Sequence, residues 1–221
     1  MTSSHTSPHT SPHISSRTRG PDEVLSALGA AGILPVLRTP DASAVRDQVH
    51  RLRESGARVV ELTTSIPVWD GLLAGLTADL PDMVTGMGTV TESTVADRAL
   101  DSGASFLVSP YPVPDVRRTA ERSAALLVEG GMTPGELAAA SASGIAKVFP
   151  AHVGGTRYLR SLAPVLPGCR LVPSGGIALS EVPDWRAAGA FAVSVGSELF
   201  AADALAGHFA AARERRSGVP R

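Results

Sequence analysis

The chain has 221 residues, 43% of them hydrophobic and 19% charged, with a formal net charge of −1. That is enough apolar material for one well-cored domain, and the dispersed, balanced charge excludes the basic stripe that nucleic acid or an anionic membrane surface would require. One cysteine, Cys169, excludes an internal disulfide and a cysteine-based zinc site, and no run of about 18 apolar residues is present to span a membrane, so the expected partner is a small molecule.

Residues 1–20, MTSSHTSPHTSPHISSRTRG, are Ser, Thr, Pro and His with almost nothing to bury, and the unit TSPH recurs. A disordered tail is expected there. It lacks the apolar segment of a secretory signal, which favours a cytoplasmic protein. His5, His9 and His13 are spaced four apart, but Pro8 and Pro12 oppose the helix that would align them, so no metal site is assigned.

Residues 21–216 are expected to form one α/β domain, with 217–221 a short C-terminal tail. Eight short apolar runs rich in β-branched residues follow one another: 33–38, 58–63, 83–90, 106–110, 125–131, 146–150, 170–176 and 191–197. Between the first two, Val45, Val49, Leu52 and Gly56 share one helical face with Asp41 placed as N-cap, and the next interval carries Leu72, Leu73, Leu76 and Leu80. Strand then helix, repeated, predicts a parallel sheet. SGARVVEL at 55, SGASFLVSP at 102, SGIAKVFP at 143 and AGAFAVSVG at 188 share a small residue, a glycine and a strand, marking alternate strands of an eightfold array. The glycine suits the left-handed residue that follows a helix. An open doubly wound sheet would ordinarily carry a Gly-rich first turn, whereas this chain reads VLRTPDAS, so a single (β/α)8 TIM barrel is expected.

The segment GIAKVFPAH, 144–152, holds the single lysine among 20 Lys and Arg residues. Alternation along a strand puts Ile145, Lys147 and Phe149 on one face, and if Val148 meets the helices Lys147 faces the interior. The same parity sends Val59, Glu61 and Thr63 inward. A structural Lys–Glu ion pair accounts for this arrangement. So does a catalytic amine, since lysine can deprotonate where arginine cannot, and arginine meets every other cationic need of the chain.

KVFPA, the upstream VVELT, MGTV, FLVSP, PSGGI and VGSELF, in order over about 32–200, resemble the KDPG/KHG family, the 2-keto-3-deoxy-6-phosphogluconate and 4-hydroxy-2-oxoglutarate aldolases. ELTTSIPVW, YLRSLAPVLP and GSELF look closer to its 2-dehydro-3-deoxy-6-phosphogalactonate branch. The resemblance implies a class I aldolase on a small barrel, a carbon–carbon lyase of carbohydrate metabolism that forms a Schiff base with pyruvate, uses no cofactor or metal, and assembles as a homotrimer. Lys147 matches the Schiff-base lysine and Glu61 the acid/base carboxylate. Thr89 and Pro110 match residues near the pyruvate moiety, and Phe149 a wall of the pocket. Arg38, at the end of the first strand with the parity of Leu34 and Val36, fits an anion contact; a solvated strand-end arginine is the other reading. Ser174, Gly175 and Gly176 after the seventh strand, with Gly196 and Ser197 after the eighth, stand where barrels build phosphate sites from backbone N–H groups, although ordinary turn chemistry also places glycines there. Two positions depart from the family. Ser65 replaces an arginine that aids the substrate carboxylate, leaving Arg38, Thr89 or backbone to do so. Glu129 stands where Pro is usual, and points to an altered substrate unless it is turned away or paired. The expected substrate is a 2-keto-3-deoxy-6-phosphosugar acid of gluconate or galactonate type; 4-hydroxy-2-oxoglutarate, or a non-catalytic phosphate- or keto-acid-binding barrel, are the alternatives.

Overall fold

The computed structural model describes residues 19–196, 199–200 and 205–214. The histidine-rich segment before Arg19, Ser197 and the C-terminal tail lie outside the described residues. The described residues hold eight strands: β1 Ile33–Leu37, β2 Val59–Thr63, β3 Val84–Gly88, β4 Phe106–Val108, β5 Leu126–Gly131, β6 Ile145–Val148, β7 Arg170–Pro173 and β8 Val193–Val195. All paired neighbours are parallel, in the order β7-β6-β5-β4-β3-β2-β1-β8. The β7–β8 seam is made by a parallel bridge between Ser174 and Ser194 and by Phe191 N–H donating to the Leu171 carbonyl at 2.8 Å.

The helices are α1 Pro21–Ala31, α2 Val45–Glu54, α3 Trp69–Asp79, α4 Ser93–Asp101, α5 Pro114–Arg122, α6 Pro134–Ala140, α7 Ala151–Leu162, α8 Val182–Ala187 and α9 Leu205–Glu214. On α2, Val45, Val49 and Leu52 are buried as their spacing predicts. Asp41 caps a 3-10 turn, Ala42–Ala44, that leads into α2, its carboxylate accepting from Ser43 N–H at 2.9 Å. Leu73, Leu76 and Leu80 are buried along α3. Gly56, Gly103, Gly144 and Gly189, the shared glycines of the repeat, all have positive φ, so each stops the chain on the way into β2, β4, β6 or β8.

The register gives the architecture quantitatively. Glu61 pairs with Gly86, Gly86 with Phe106 and Phe106 with Leu126; four residues on along β5, Gly130 pairs with Lys147 and Lys147 with Val172. Two residues on along β7, Ser174 bridges to Ser194, which pairs with Leu34; two further along β1, Val36 pairs back to Glu61. The circuit closes with an offset of eight residues, the shear of a (β/α)8 barrel. Inward side chains then stack in layers of four drawn from alternate strands.

One such layer is Glu61, Val108, Lys147 and Ser194. Beneath it lie Leu34, Gly86, Val128 and Val172, then Val59, Phe106, Ile145 and Ala192, one continuous apolar cluster with Gly86 leaving room for the Phe106 ring. A helix ahead of β1, absent from the sequence reading, completes this end of the barrel: Val24 and Leu28 of α1 are fully buried in the same cluster. Arg19 ties the chain down just before it, donating to the Met83 carbonyl at 2.8 Å and the Pro81 carbonyl at 2.6 Å. The outward faces of the strands form the larger core with the helices, Val60, Leu62, Ala146 and Val148 among them.

Candidate active site

The apolar layers end at the layer of Lys147 and Glu61, and a cavity of about 470 Å³ opens above it at the C-terminal end of the strands. The parity read from VVELT and IAKVFP holds: both side chains face inward, Glu61 1% and Lys147 7% exposed. Lys147 Nζ stands 3.9 Å from Glu61 Oε1. That is ion-pair distance but too long for a direct hydrogen bond. The Glu61 Oε2 atom is buried with no hydrogen-bond partner among the described residues. Burial raises the Glu61 carboxyl above its ordinary pKa, opposed by the charges of Lys147 and Arg38. The space for this carboxylate is made by Gly88, where an added Cβ would fall 1.8 Å from Glu61 Oε1.

Arg38 reaches over the cavity from the end of β1. Its guanidinium donates to Thr89 Oγ1 at 2.8 Å and to Ser65 Oγ at 3.3 Å. The Ser65 hydroxyl is in turn 2.9 Å from that of Thr63, which donates to the Leu37 carbonyl. Thr89 has a positive φ, a conformation unusual outside glycine. This turn ends β3 at Gly88, short of the expected Val90, and brings the threonine to Arg38. Arg38 is therefore an exposed cation held in place by two side-chain hydrogen bonds, and Ser65 helps to position it.

The cavity wall includes Arg38, Glu61, Lys147 and Phe149, together with Ser174, Gly175, Gly176 and Gly196. Lys147 Nζ is 5.4 Å from the centroid of the Phe149 ring. Thr89 and Pro110 do not line it. Thr89 contributes through Arg38, whereas Pro110 meets the neighbouring strand: its carbonyl lies 2.3 Å from where a Cβ of Gly130 would be. Gly175 and Gly176 both have positive φ, and a Cβ on Gly176 would collide with the His152 ring at 2.8 Å. Substitution of Gly176 would thus disturb the loop whatever ligand it holds.

The expectation that Glu129 signals a changed substrate is corrected by its direction. Leu126, Val128 and Gly130 take the inward positions of β5, so Glu129 faces out, 1% exposed. Its Oε1 accepts from Val113 N–H at 2.8 Å and its Oε2 from Arg117 of α5 at 3.0 Å. The carboxylate is both turned away and paired. The sequence reading missed Gln48 and Ser194, which also line the cavity. Strand parity, through Ala192, Ser194 and Gly196, turns the serine inward, but nothing else in the sequence marks it as part of the site.

A (β/α)8 barrel with a buried lysine and a carboxylate of raised pKa at the floor of a cavity at the C-terminal ends of its strands has the layout of an enzyme site. The family model described as KDPG and KHG aldolase matches residues 24–212. A 2-dehydro-3-deoxy-phosphogluconate aldolase of Dickeya dadantii is 30% identical over 181 residues, 80% of this chain and 85% of that protein. A probable 2-dehydro-3-deoxy-6-phosphogalactonate aldolase of Rhizobium meliloti is 28% identical over 172 residues, 76% of this chain and 81% of that one. Among solved structures, the 2-keto-3-deoxy-6-phosphogluconate aldolase of Zymomonas mobilis ZM4 with 3-phosphoglycerate superposes with a TM-score of 0.75 at 27% identity, covering 92% of this chain and 98% of that one. The chain belongs to the KDPG and KHG aldolase family, and is with it a carbon–carbon lyase of the class I type.

Proposed function

We propose that the enzyme cleaves a 2-keto-3-deoxy-6-phosphosugar acid, of gluconate or galactonate type, to pyruvate and glyceraldehyde 3-phosphate. The observation that carries this reading is the buried Lys147–Glu61 couple at the floor of the cavity. Glu61, with its raised affinity for protons, takes a proton from the Lys147 ammonium. The amine adds to the C2 ketone, whose π electrons pass to oxygen; that oxygen takes one proton from Nζ and a second from Glu61 and leaves as water, giving an iminium and returning Glu61 to the carboxylate. Glu61 then accepts the C4 hydroxyl proton. The C3–C4 bond breaks into the iminium, the aldehyde leaves, and the enamine is protonated at C3 and hydrolysed to pyruvate and free lysine. Arg38, held by Thr89 and Ser65, supplies the charge for the substrate carboxylate. Phosphate is assigned to the loop of Ser174, Gly175 and Gly176 with Gly196, and Ser197 completes that set by sequence.

This reading takes the working form as a cytoplasmic homotrimer, on the strength of the family resemblance. Its chemistry is tested by a coupled assay for pyruvate release from both phosphosugar acids and from 4-hydroxy-2-oxoglutarate. The phosphorylated substrates should be favoured in kcat/KM by roughly 100-fold, the worth of two charge-assisted hydrogen bonds. A preference for 4-hydroxy-2-oxoglutarate would reassign the substrate, and no turnover of any of the three would leave a binding barrel.

A further inference from the structure

Ser194 stands in the layer of Glu61 and Lys147, yet nothing in the proposed chemistry uses it. It is 3% exposed, lines the catalytic cavity, and its Oγ has no hydrogen-bond partner among the described residues. A buried hydroxyl without a partner costs free energy that an alanine of nearly the same size would avoid. The register fixes where it points. In a layer drawn from β2, β4, β6 and β8, Lys147 faces Glu61 across the barrel axis, and the two remaining positions flank the line between them. One is Val108, apolar and 1% exposed; the other is Ser194. A carbon bonded to Lys147 Nζ therefore has an isopropyl group on one side and a hydroxyl on the other.

We propose that Ser194 is a further catalytic residue of this aldolase, whose hydroxyl donates a hydrogen bond to the substrate oxygen at C2 during carbinolamine formation and dehydration. The proposal rests on the Schiff-base reading of Lys147. As the Nζ lone pair adds to C2, the π pair moves onto oxygen and negative charge grows there. Ser194 donates to that oxygen without losing its own proton, a stabilisation of the oxyanion-hole kind. The oxygen then takes a proton from Nζ to become the carbinolamine hydroxyl, takes a second proton from Glu61, and departs as water with the C–O bonding pair, leaving the iminium. Ser194 directs that oxygen to its own side of the layer and leaves the Val108 side to carbon.

The test is Ser194→Ala, with Ser194→Cys as a variant of similar volume and weaker donation. Three quantities are read on the full chain: the rate of borohydride-trapped adduct formation with pyruvate, kcat and KM for cleavage, and Tm. Trapping rate and kcat should fall about 10-fold in the alanine variant, the worth of one hydrogen bond, with an intermediate loss for cysteine. KM should change little, and Tm should stay level or rise, because a partnerless hydroxyl has been removed. Wild-type trapping rates in Ser194→Ala would overturn the proposal, as would a large fall in Tm with undiminished activity in the folded fraction. Failure of the wild-type enzyme itself to trap pyruvate would instead remove the Schiff-base reading beneath it, and the unmodified protein alone reveals that outcome.

Discussion

Glu61 is held by two opposed effects: burial favours its neutral form, and the charges of Lys147 and Arg38 favour the ionised one. Burial prevails, so the folded protein binds this proton more tightly than the unfolded chain does. The group therefore contributes stability at pH below the unfolded value of about 4.5, and that contribution is lost as pH rises through the higher folded value. Glu61→Gln should abolish this pH dependence in urea-melt stability while cutting kcat about 100-fold or more, within the range for a general acid/base group. A variant that is only less stable, with normal turnover in its folded fraction, would mean the Lys147–Glu61 contact is an ion pair and nothing more. Both residues were legible in the sequence because charged side chains at inward strand positions contradict the apolar pattern around them. Ser194 was not, since one serine in FAVSVG breaks no pattern; it stands out only once the register places it beside Lys147.

At the scale of elements, β5 and the β4–α5 connection act together. Outward-facing Glu129 accepts the Val113 N–H at the start of α5 and the Arg117 guanidinium one turn on, while inward Gly130 admits the Pro110 backbone. The pair fixes both ends of a short loop at the mouth of the barrel. Glu129→Ala strands an amide and a half-buried guanidinium, and should cost about 2 kcal/mol, a fall in Tm of roughly 4–8 °C for a domain of this size. Calorimetry checks this, and an unchanged Tm would mean the contacts add nothing. Turnover of the folded fraction should persist, because Glu129 touches no part of the cavity. The alternation Leu126, Val128, Gly130 already placed Glu129 outward. The even-numbered strands and their glycine stops were readable because the repeat states them four times, and the remaining strands because each is a short apolar run between helical segments. Helix α1 was not, because it precedes the first repeat and its apolar residues, Val24 and Leu28, fill the barrel floor instead of a sheet face.

Across the whole molecule, a barrel of eight strands and shear eight turns sequence alternation into depth. Two apolar levels and α1 form the floor, one layer carries the reactive groups, and the cavity stands above it where Gly88 makes room for Glu61. That order places the single primary side-chain amine beside the Glu61 carboxylate at the floor of the cavity. The most direct measurement follows from the sequence itself, since Lys147 is the only lysine. Borohydride added with pyruvate should leave one reduced three-carbon adduct, mapped by mass to the peptide containing KVFPAH, and Lys147→Arg should fold without forming it. Absence of an adduct on Lys147, or an adduct confined to the N-terminal amine, would contradict the account.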